Sequence, residues 1–278
     1  MKSVLLIGET CIDEFIYGSV DRISQEAPCP IFLSNGDKKI TGGMCANVKN
    51  NIDHLSENIE VQVLTNDSPI VKRRLIDTRH GNMVYRVDEQ DRSLRVNLLL
   101  SKLTKKQWDA VVVSDYNKGF LLDEDLVSIG EVFNCPKFID TKKIISKSWG
   151  KKFDFIKINS EELFANIASH GSIEKVKEAC NSIIVTKGEE GSVLYETDCQ
   201  AFDSYKTNVS HVSGAGDTFL AALVIRTLET GDIKEAIDFA NLCASIAVSK
   251  ENVSFVSRKE ANNLRRSNKN ITTGSSAF

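Results

Sequence analysis

The run Val212-Ser213-Gly214-Ala215-Gly216-Asp217-Thr218 puts two glycines and a carboxylate directly ahead of an apolar stretch with helical spacing. Glycines allow a backbone to approach a ligand closely, and successive N–H groups at a helix start form an anion hole that the helix dipole reinforces. An Asp in that first turn can face a transferred phosphoryl group and take the proton of an acceptor hydroxyl. The alternative is a plain glycine turn whose Asp merely suits the dipole. Gly42-Gly43-Met44-Cys45-Ala46-Asn47 follows the same logic near the other end of the chain. Its amide, one turn in, can donate to and accept from sugar hydroxyls, or it can simply be exposed after a turn. Asn159-Ser160-Glu161-Glu162 is polar and well placed, yet the same spacing is a helix capping box. No G-x-x-x-x-G-K-[ST] is present and no G-x-G-x-x-G follows the first apolar run, which disfavours a P-loop NTPase and a dinucleotide fold.

These residues need elements to hold them. Val4–Ile7, Val61–Leu64, Ala110–Val113, Lys137–Ile139, Phe155–Ile158 and Ser182–Val185 read as strands bounded by polar turns. Several are continuously apolar, as strands buried on both faces of a parallel sheet must be. In such a sheet the ligand crevice lies beyond the carboxyl ends of the strands. The residues found there are Gly8 and Asp13, Ser114-Asp115-Tyr116, Asp140-Thr141-Lys142, Asn159, and Thr186-Lys187-Gly188. Polar residues end strands everywhere, but five such sets together point to a site. Phe219, Leu220, Leu223, Val224 and Leu228 share a helical face that Gly231 ends, and Asp232-x-x-Glu235 offers a capping box for a second helix. Segments 14–41 and 71–100 instead alternate and are rich in β-formers, which predicts an antiparallel β lid. The expected fold is a doubly wound, mostly parallel α/β sheet with that lid, one domain over 1–266 and a frayed tail over 267–278.

Composition narrows the classes further. The 278 residues are 41% hydrophobic and 26% charged, with a net charge of −3, so no basic field exists to hold nucleic acid. No apolar run approaches the roughly 20 residues a bilayer span requires, and membrane association is not expected. The first apolar run meets Glu9, Asp13 and Glu14 too soon to be a signal peptide. Seven scattered cysteines without a C-x-x-C pair suit reduced thiols in a cytoplasmic location.

Taken together, the motifs resemble those of the ribokinase-like carbohydrate kinases, from about Val4 to Glu260. Gly42-Gly43 with Asn47 is similar to that family's N-terminal sugar-binding signature. Gly214-Ala215-Gly216-Asp217 is similar to its C-terminal signature, where the turn is the anion hole and the Asp the catalytic base. The resemblance implies ATP as phosphoryl donor and Mg²⁺ as cofactor, with Glu162 of Asn159-x-x-Glu162 organising the water shell of the metal. It further implies nucleotide contacts at Asn159, Lys187, Gly188, Gly191 and Asn241, and acceptor contacts at Asp13, Gly42, Gly43, Asn47 and Asp115. Within the family, Arg22-Ile23-Ser24-Gln25-Glu26-Ala27-Pro28-Cys29-Pro30 and Ser114-Asp115-Tyr116-Asn117-Lys118-Gly119 resemble the subgroup that phosphorylates D-glycero-D-manno-heptose 7-phosphate. That likeness adds Arg22 and Lys118 to the acceptor contacts, and Lys72, Arg74 and Arg86 to the cations that could meet a substrate phosphate.

Two departures bear on the same comparison. Between Leu64 and Val71 the chain is shorter than the family by about one βα unit, so one sheet edge should be reduced. His211 and the loop Lys250-Glu251-Asn252-Val253 stand where many relatives hold a monovalent cation, which predicts weak dependence on potassium because an imidazole is a poor ligand for a hard cation. The expectation is a sugar-phosphate kinase, with another sugar kinase of the family or a non-catalytic sugar-phosphate-binding protein as alternatives. Its partners would be substrate, nucleotide and a second copy through the β lid.

Overall fold

The computed structural model describes residues 1–98, 100–250 and 255–274. Strand β1 (Lys2–Gly8) runs almost directly into β2 (Thr10–Ile23), which turns back as β3 (Pro30–Met44). Helix α1 (Cys45–Leu55) and β4 (Ile59–Leu64) return the chain to the main body, and β5 (Ile70–Asp77) and β6 (Asn82–Glu89) form a second hairpin. Alternating order follows: α2 (Leu100–Leu103), β7 (Ala110–Asp115), α3 (Asp123–Val132), β8 (Lys137–Thr141), β9 (Phe155–Asn159), α4 (Ser160–His170), α5 (Ile173–Glu178) and β10 (Ser182–Thr186). The hairpin β11 (Ser192–Tyr195) and β12 (Cys199–Phe202) precedes three helices, α6 (Ala215–Thr230), α7 (Ile233–Ser249) and α8 (Arg258–Gly274).

The main sheet has the order β12-β11-β10-β9-β8-β7-β1-β4, parallel from β10 to β4 and antiparallel at the β11/β12 hairpin. Its apolar runs are buried on both faces, as their lack of alternation requires. Along β1, Val4 and Leu6 pack towards α1, α6 and α7, whereas Leu5 and Ile7 pack towards Leu126, Ile129 and Trp149 on the other side. Most of the expected strands extend one or two residues further, so Gly8, Asp115, Thr141, Asn159 and Thr186 are the last residues of strands rather than turn residues. β4 is an edge strand, and only residues 65–69 separate it from β5, with no helix between.

The lid is a four-stranded sheet in the order β3-β2-β5-β6. Both hairpins are antiparallel, but β2 and β5 pair in parallel. That pairing follows from connectivity, because α1 and β4 carry the chain back to the base of the lid and β5 leaves it in the same direction as β2. Residues 91–98, expected as lid strand, have no regular structure. Their backbone is satisfied by the loop after β7, with Ser93 N–H donating to Lys118 O at 2.7 Å and Val96 N–H to Phe120 O at 2.8 Å. At the other end α8 continues to Gly274, where a frayed tail was expected from 267; no proline or glycine interrupts it earlier, and residues 275–278 lie outside the described residues. The Asp232 cap forms, accepting from Lys234 and Glu235 N–H, but the Glu235 carboxylate pairs with Arg226 and Arg265 instead of closing a capping box.

One carboxylate joins these parts at the crevice. Glu9, fully buried between β1 and β2, accepts the backbone N–H of Tyr116 at 2.9 Å and of Lys118 at 2.8 Å, while its own C=O accepts Cys45 N–H at 2.9 Å. It therefore fixes the loop after β7 and the start of α1 against the same strand end. Glu9→Gln turns one acceptor into an NH₂ group facing a buried N–H, and should cost about 1–3 kcal/mol in chemical denaturation; unchanged stability would show that the loop is held by other contacts.

Candidate active site

Helix α6 begins in a conformation that only its sequence permits. Gly214 has φ 84°, in the left-handed region that favours glycine, and the Nδ1 of His211 accepts Ser213 N–H at 3.2 Å to shape the approach. Asp217 then falls in the first helical turn, 5% exposed. Asn47 Nδ2 donates to its Oδ2 at 2.8 Å, and the Tyr116 hydroxyl donates to its Oδ1 at 2.7 Å. Burial pushes the Asp217 carboxyl up to about 6, against the pull of these two donors; Asp140 adds to the rise and Lys157 opposes it. The group is thus charged at neutral pH yet close enough to titration to accept a proton.

Lys157, on β9, is the buried cation of this region. Its ammonium lies 2.8 Å from Asp140 Oδ2, and a side-chain carbon at Gly216 would come within 2.9 Å of it. The missing side chain at Gly216 is therefore what lets a charge sit against the α6 turn. Burial disfavours that charge, but Asp140 overrides it and holds the ammonium above its ordinary range. Glu162 completes the group: it closes a capping box with Asn159, donor and acceptor distances being 2.7 and 2.8 Å, and its Oε1 lies 3.7 Å from Lys142 Nζ. Burial raises its carboxyl, only partly offset by the Asn159 N–H.

Three cavities meet at the start of α6. The first, about 320 Å³, lies under the lid and includes Asp13, Gly43, Asn47, Gly214 and Asp217 with a set of cations. The second, about 300 Å³, is bounded by Asp140, Lys157, Asn159, Glu162, Gly216 and Asp217. The third, about 600 Å³ and mostly apolar, runs between Gly188, Gly191, Tyr205, Phe219, Asn241 and Ala244. Asp217 and Gly214 face both of the first two, and Gly216 faces both of the last two. The arrangement suits a small polar molecule, a chain of phosphates and a planar apolar group in that order.

The expected site residues distribute unevenly over this frame. Asp13, Gly43, Asn47 and Lys118 line the first cavity, Gly42 stands just outside it, and Gly214, Ala215 and Gly216 line the junction. Asp115 lines the second cavity instead of the first; it is buried, bonded to Thr141 Oγ1 at 2.7 Å and faced by Lys143 at 3.6 Å, an anchor for the strand end. Asn159 lines the second cavity rather than the third, and Lys187 lines neither, its N–H closing a turn onto Gly191 O. Arg22 sits exposed near the tip of β2, outside every cavity described, because the strand carries it away from the crevice. Asn241 faces the third cavity, but its amide donates to Ser192 Oγ at 2.9 Å. Of the cation loop, residues 251–253 lie outside the described residues.

Tyr116, Lys142, Lys157, Asp140 and Glu9 were not singled out as site residues from the sequence. Tyr116, Asp140 and Lys142 lie within the strand-end sets and Glu9 one residue beyond Gly8, whereas Lys157 is hidden inside an apolar strand. Among the described residues no group of three or more His, Cys, Asp or Glu side chains forms a metal cage. The donor set does fit Mg²⁺, which keeps most of its waters and uses one or two carboxylates with substrate phosphates: Glu162 is such a carboxylate, partly buried on the wall of the second cavity with the Lys142 ammonium 3.7 Å away.

Residues 132–260 match the sequence profile of the pfkB family carbohydrate kinases. The chain is 27% identical over 306 aligned residues to the bifunctional protein HldE of a Nitratiruptor species, covering 95% of the chain and 65% of that protein. It is 29% identical over 310 residues to the bifunctional protein HldE of Campylobacter curvus, covering 96% and 66%. The chain thus spans just under two thirds of these relatives. Among solved structures it resembles the ribokinase of Thermotoga maritima, with TM-score 0.76, 16% identity and coverage of 96% and 100%. It also resembles phosphofructokinase-2 from Escherichia coli in complex with potassium, with TM-score 0.72, 16% identity and coverage of 96% and 98%. The fold is ribokinase-like. Among the described residues no helix is long and apolar enough to cross a membrane.

The first cavity depends on Gly43, where an added Cβ would come 2.1 Å from Asp13 Oδ2 and 2.7 Å from Cys11 Sγ. Asp13 Oδ1 is in turn 2.6 Å from Arg74. Gly43→Ala should therefore displace both side chains and weaken binding of a sugar phosphate at least tenfold in calorimetry, with nucleotide binding unchanged. Unaltered sugar-phosphate affinity would show that Asp13 and Arg74 take no part in binding it.

Proposed function

We propose that the chain is an ATP-dependent carbohydrate kinase that phosphorylates the anomeric hydroxyl of a heptose 7-phosphate. The observation that carries this reading is the placement of a buried, ionisable Asp217 in the first turn of α6, where a cation-lined acceptor-sized cavity, a polar cavity holding Lys157 and Glu162, and an apolar nucleotide-sized cavity meet. The match to the carbohydrate kinase profile and the similarity to the HldE proteins support the class.

In the proposed reaction the sugar lies in the first cavity with its anomeric hydroxyl towards Asp217. Asp217 accepts the hydroxyl proton as the oxygen attacks the γ-phosphorus; the bond from γ-phosphorus to the β,γ-bridging oxygen breaks, and ADP leaves in the third cavity. The Gly214–Gly216 turn and the Lys157 ammonium stabilise negative charge on the moving phosphoryl group. Mg²⁺, when bound through water near Glu162, neutralises phosphate charge. The proton on Asp217 is then lost to solvent.

The cations under the lid favour a phosphorylated acceptor. Lys72, Arg74, Arg86, Lys118 and Lys142 all line the first cavity. Arg74, Arg86 and Lys118 already pair with Asp13, Asp88 and Asp91. Lys72 has no carboxylate within 4.0 Å among the described residues, so its charge is available for a substrate dianion. A neutral sugar gives no reason for such a set.

Asp217→Asn should lower kcat at least about a hundredfold in a coupled ADP-release assay while leaving nucleotide affinity nearly unchanged. With the wild type, kcat/KM should fall tenfold per pH unit below about 6, since protonation removes the base. Across a panel of acceptors, heptose 7-phosphates should far exceed ribose, fructose and other free sugars in kcat/KM. A nearly active Asp217→Asn would overturn the base; preference for a free sugar would move the assignment to another sugar kinase; tight sugar-phosphate binding without phosphoryl transfer would make the chain a binding protein.

A further inference from the structure

We infer that Tyr116 is a positioning residue for the base, fixing the Asp217 carboxylate so that its unused lone pairs face the acceptor cavity; this rests on the reading of Asp217 as base. A carboxylate held at one oxygen can still rotate about its last side-chain bond, because that torsion is broad. Held at both, by Asn47 at Oδ2 and Tyr116 at Oδ1, it is fixed in plane. Each oxygen keeps capacity for another donor, so an arriving hydroxyl can bond without displacing either holder.

The phenol is built for this task from behind. The backbone N–H of Tyr116 donates to the buried Glu9 carboxylate, and the next residue, Asn117, has φ 56°, a left-handed turn that fixes how the loop leaves β7. The ammonium groups of Lys72 and Lys142 each lie 5.4 Å from the ring centroid. Among the described residues Asp217 is the one hydrogen-bond partner of the Tyr116 hydroxyl. Burial, followed by the Asp217 charge, keeps the phenol well above its ordinary range, so it is a donor at every pH at which the protein works. The ring also borders the first and second cavities, forming part of the wall between acceptor and phosphoryl spaces.

Tyr116→Phe keeps the ring and removes only the donor. It should lower kcat about tenfold or more, the scale of a hydrogen bond to a charged group, with the KM values for heptose 7-phosphate and ATP within about twofold. Because the effect passes through the carboxylate, Tyr116→Phe added to Asp217→Asn should lower the residual kcat no further. An equal fall in both backgrounds, a rise in acceptor KM that accounts for the whole loss, or an unchanged kcat would each overturn the inference. If Asp217→Asn alone retains turnover, it is the assignment of the base that has failed, and the single variant distinguishes that case.

Discussion

A carboxylate removed from water loses its hydration and drifts towards its neutral form, and that penalty organises the crevice of this protein. Asp217 is held just inside the limit: buried enough to raise its proton affinity, and bonded enough at both oxygens to stay charged near neutrality. The donors come from parts of the chain far apart in sequence, Asn47 on α1 and Tyr116 after β7, while the helix that carries Asp217 starts after β12. Such a constellation exists only once the main sheet has placed those strand ends side by side. Glu9 supplies the mechanical link, since it ties the Tyr116 loop and the start of α1 to the end of β1.

The same economy of charge extends outward. Lys157 is tolerated in an apolar strand because Asp140 lies beside it and Gly216 offers no side chain to exclude it. Under the lid, most cations have carboxylate neighbours that hold them in place before any substrate arrives, which reduces the ordering cost of binding a phosphate. The lid can do this because its two hairpins pair in parallel through β2 and β5, which brings Asp13 on β2 within reach of Arg74 on β5. Preorganised charge, rather than a flexible arm, is how the crevice would recognise an anion.

Much of this was legible in the sequence because local chemistry determined it. The apolar runs, the glycine pair ahead of α6, the Asp232 cap and the left-handed Gly231 all express preferences of a few neighbouring residues. Less was legible where the deciding contact is distant. Arg22 sits in a motif-like run, yet the length of β2 takes it out of the crevice. Asp115 looks like a ligand contact but is consumed by Thr141 and Lys143. Segment 91–98 has the alternation of a strand, but the loop at 118–120 takes up its N–H groups first. Lys157 and Tyr116 gain their meaning from Gly216 and Asp217, about 60 and 100 residues away along the sequence, a separation no local pattern encodes.

The central claim is that this crevice moves a phosphoryl group onto an anomeric oxygen, and ³¹P NMR of the chain with ATP, Mg²⁺ and D-glycero-D-manno-heptose 7-phosphate observes that event directly. The account predicts loss of the γ-phosphate signal in step with the appearance of ADP and of a second phosphomonoester resonance, coupled to the anomeric hydrogen, in equal amounts. Release of inorganic phosphate with the heptose 7-phosphate signal unchanged, or no consumption of ATP at all, would contradict it.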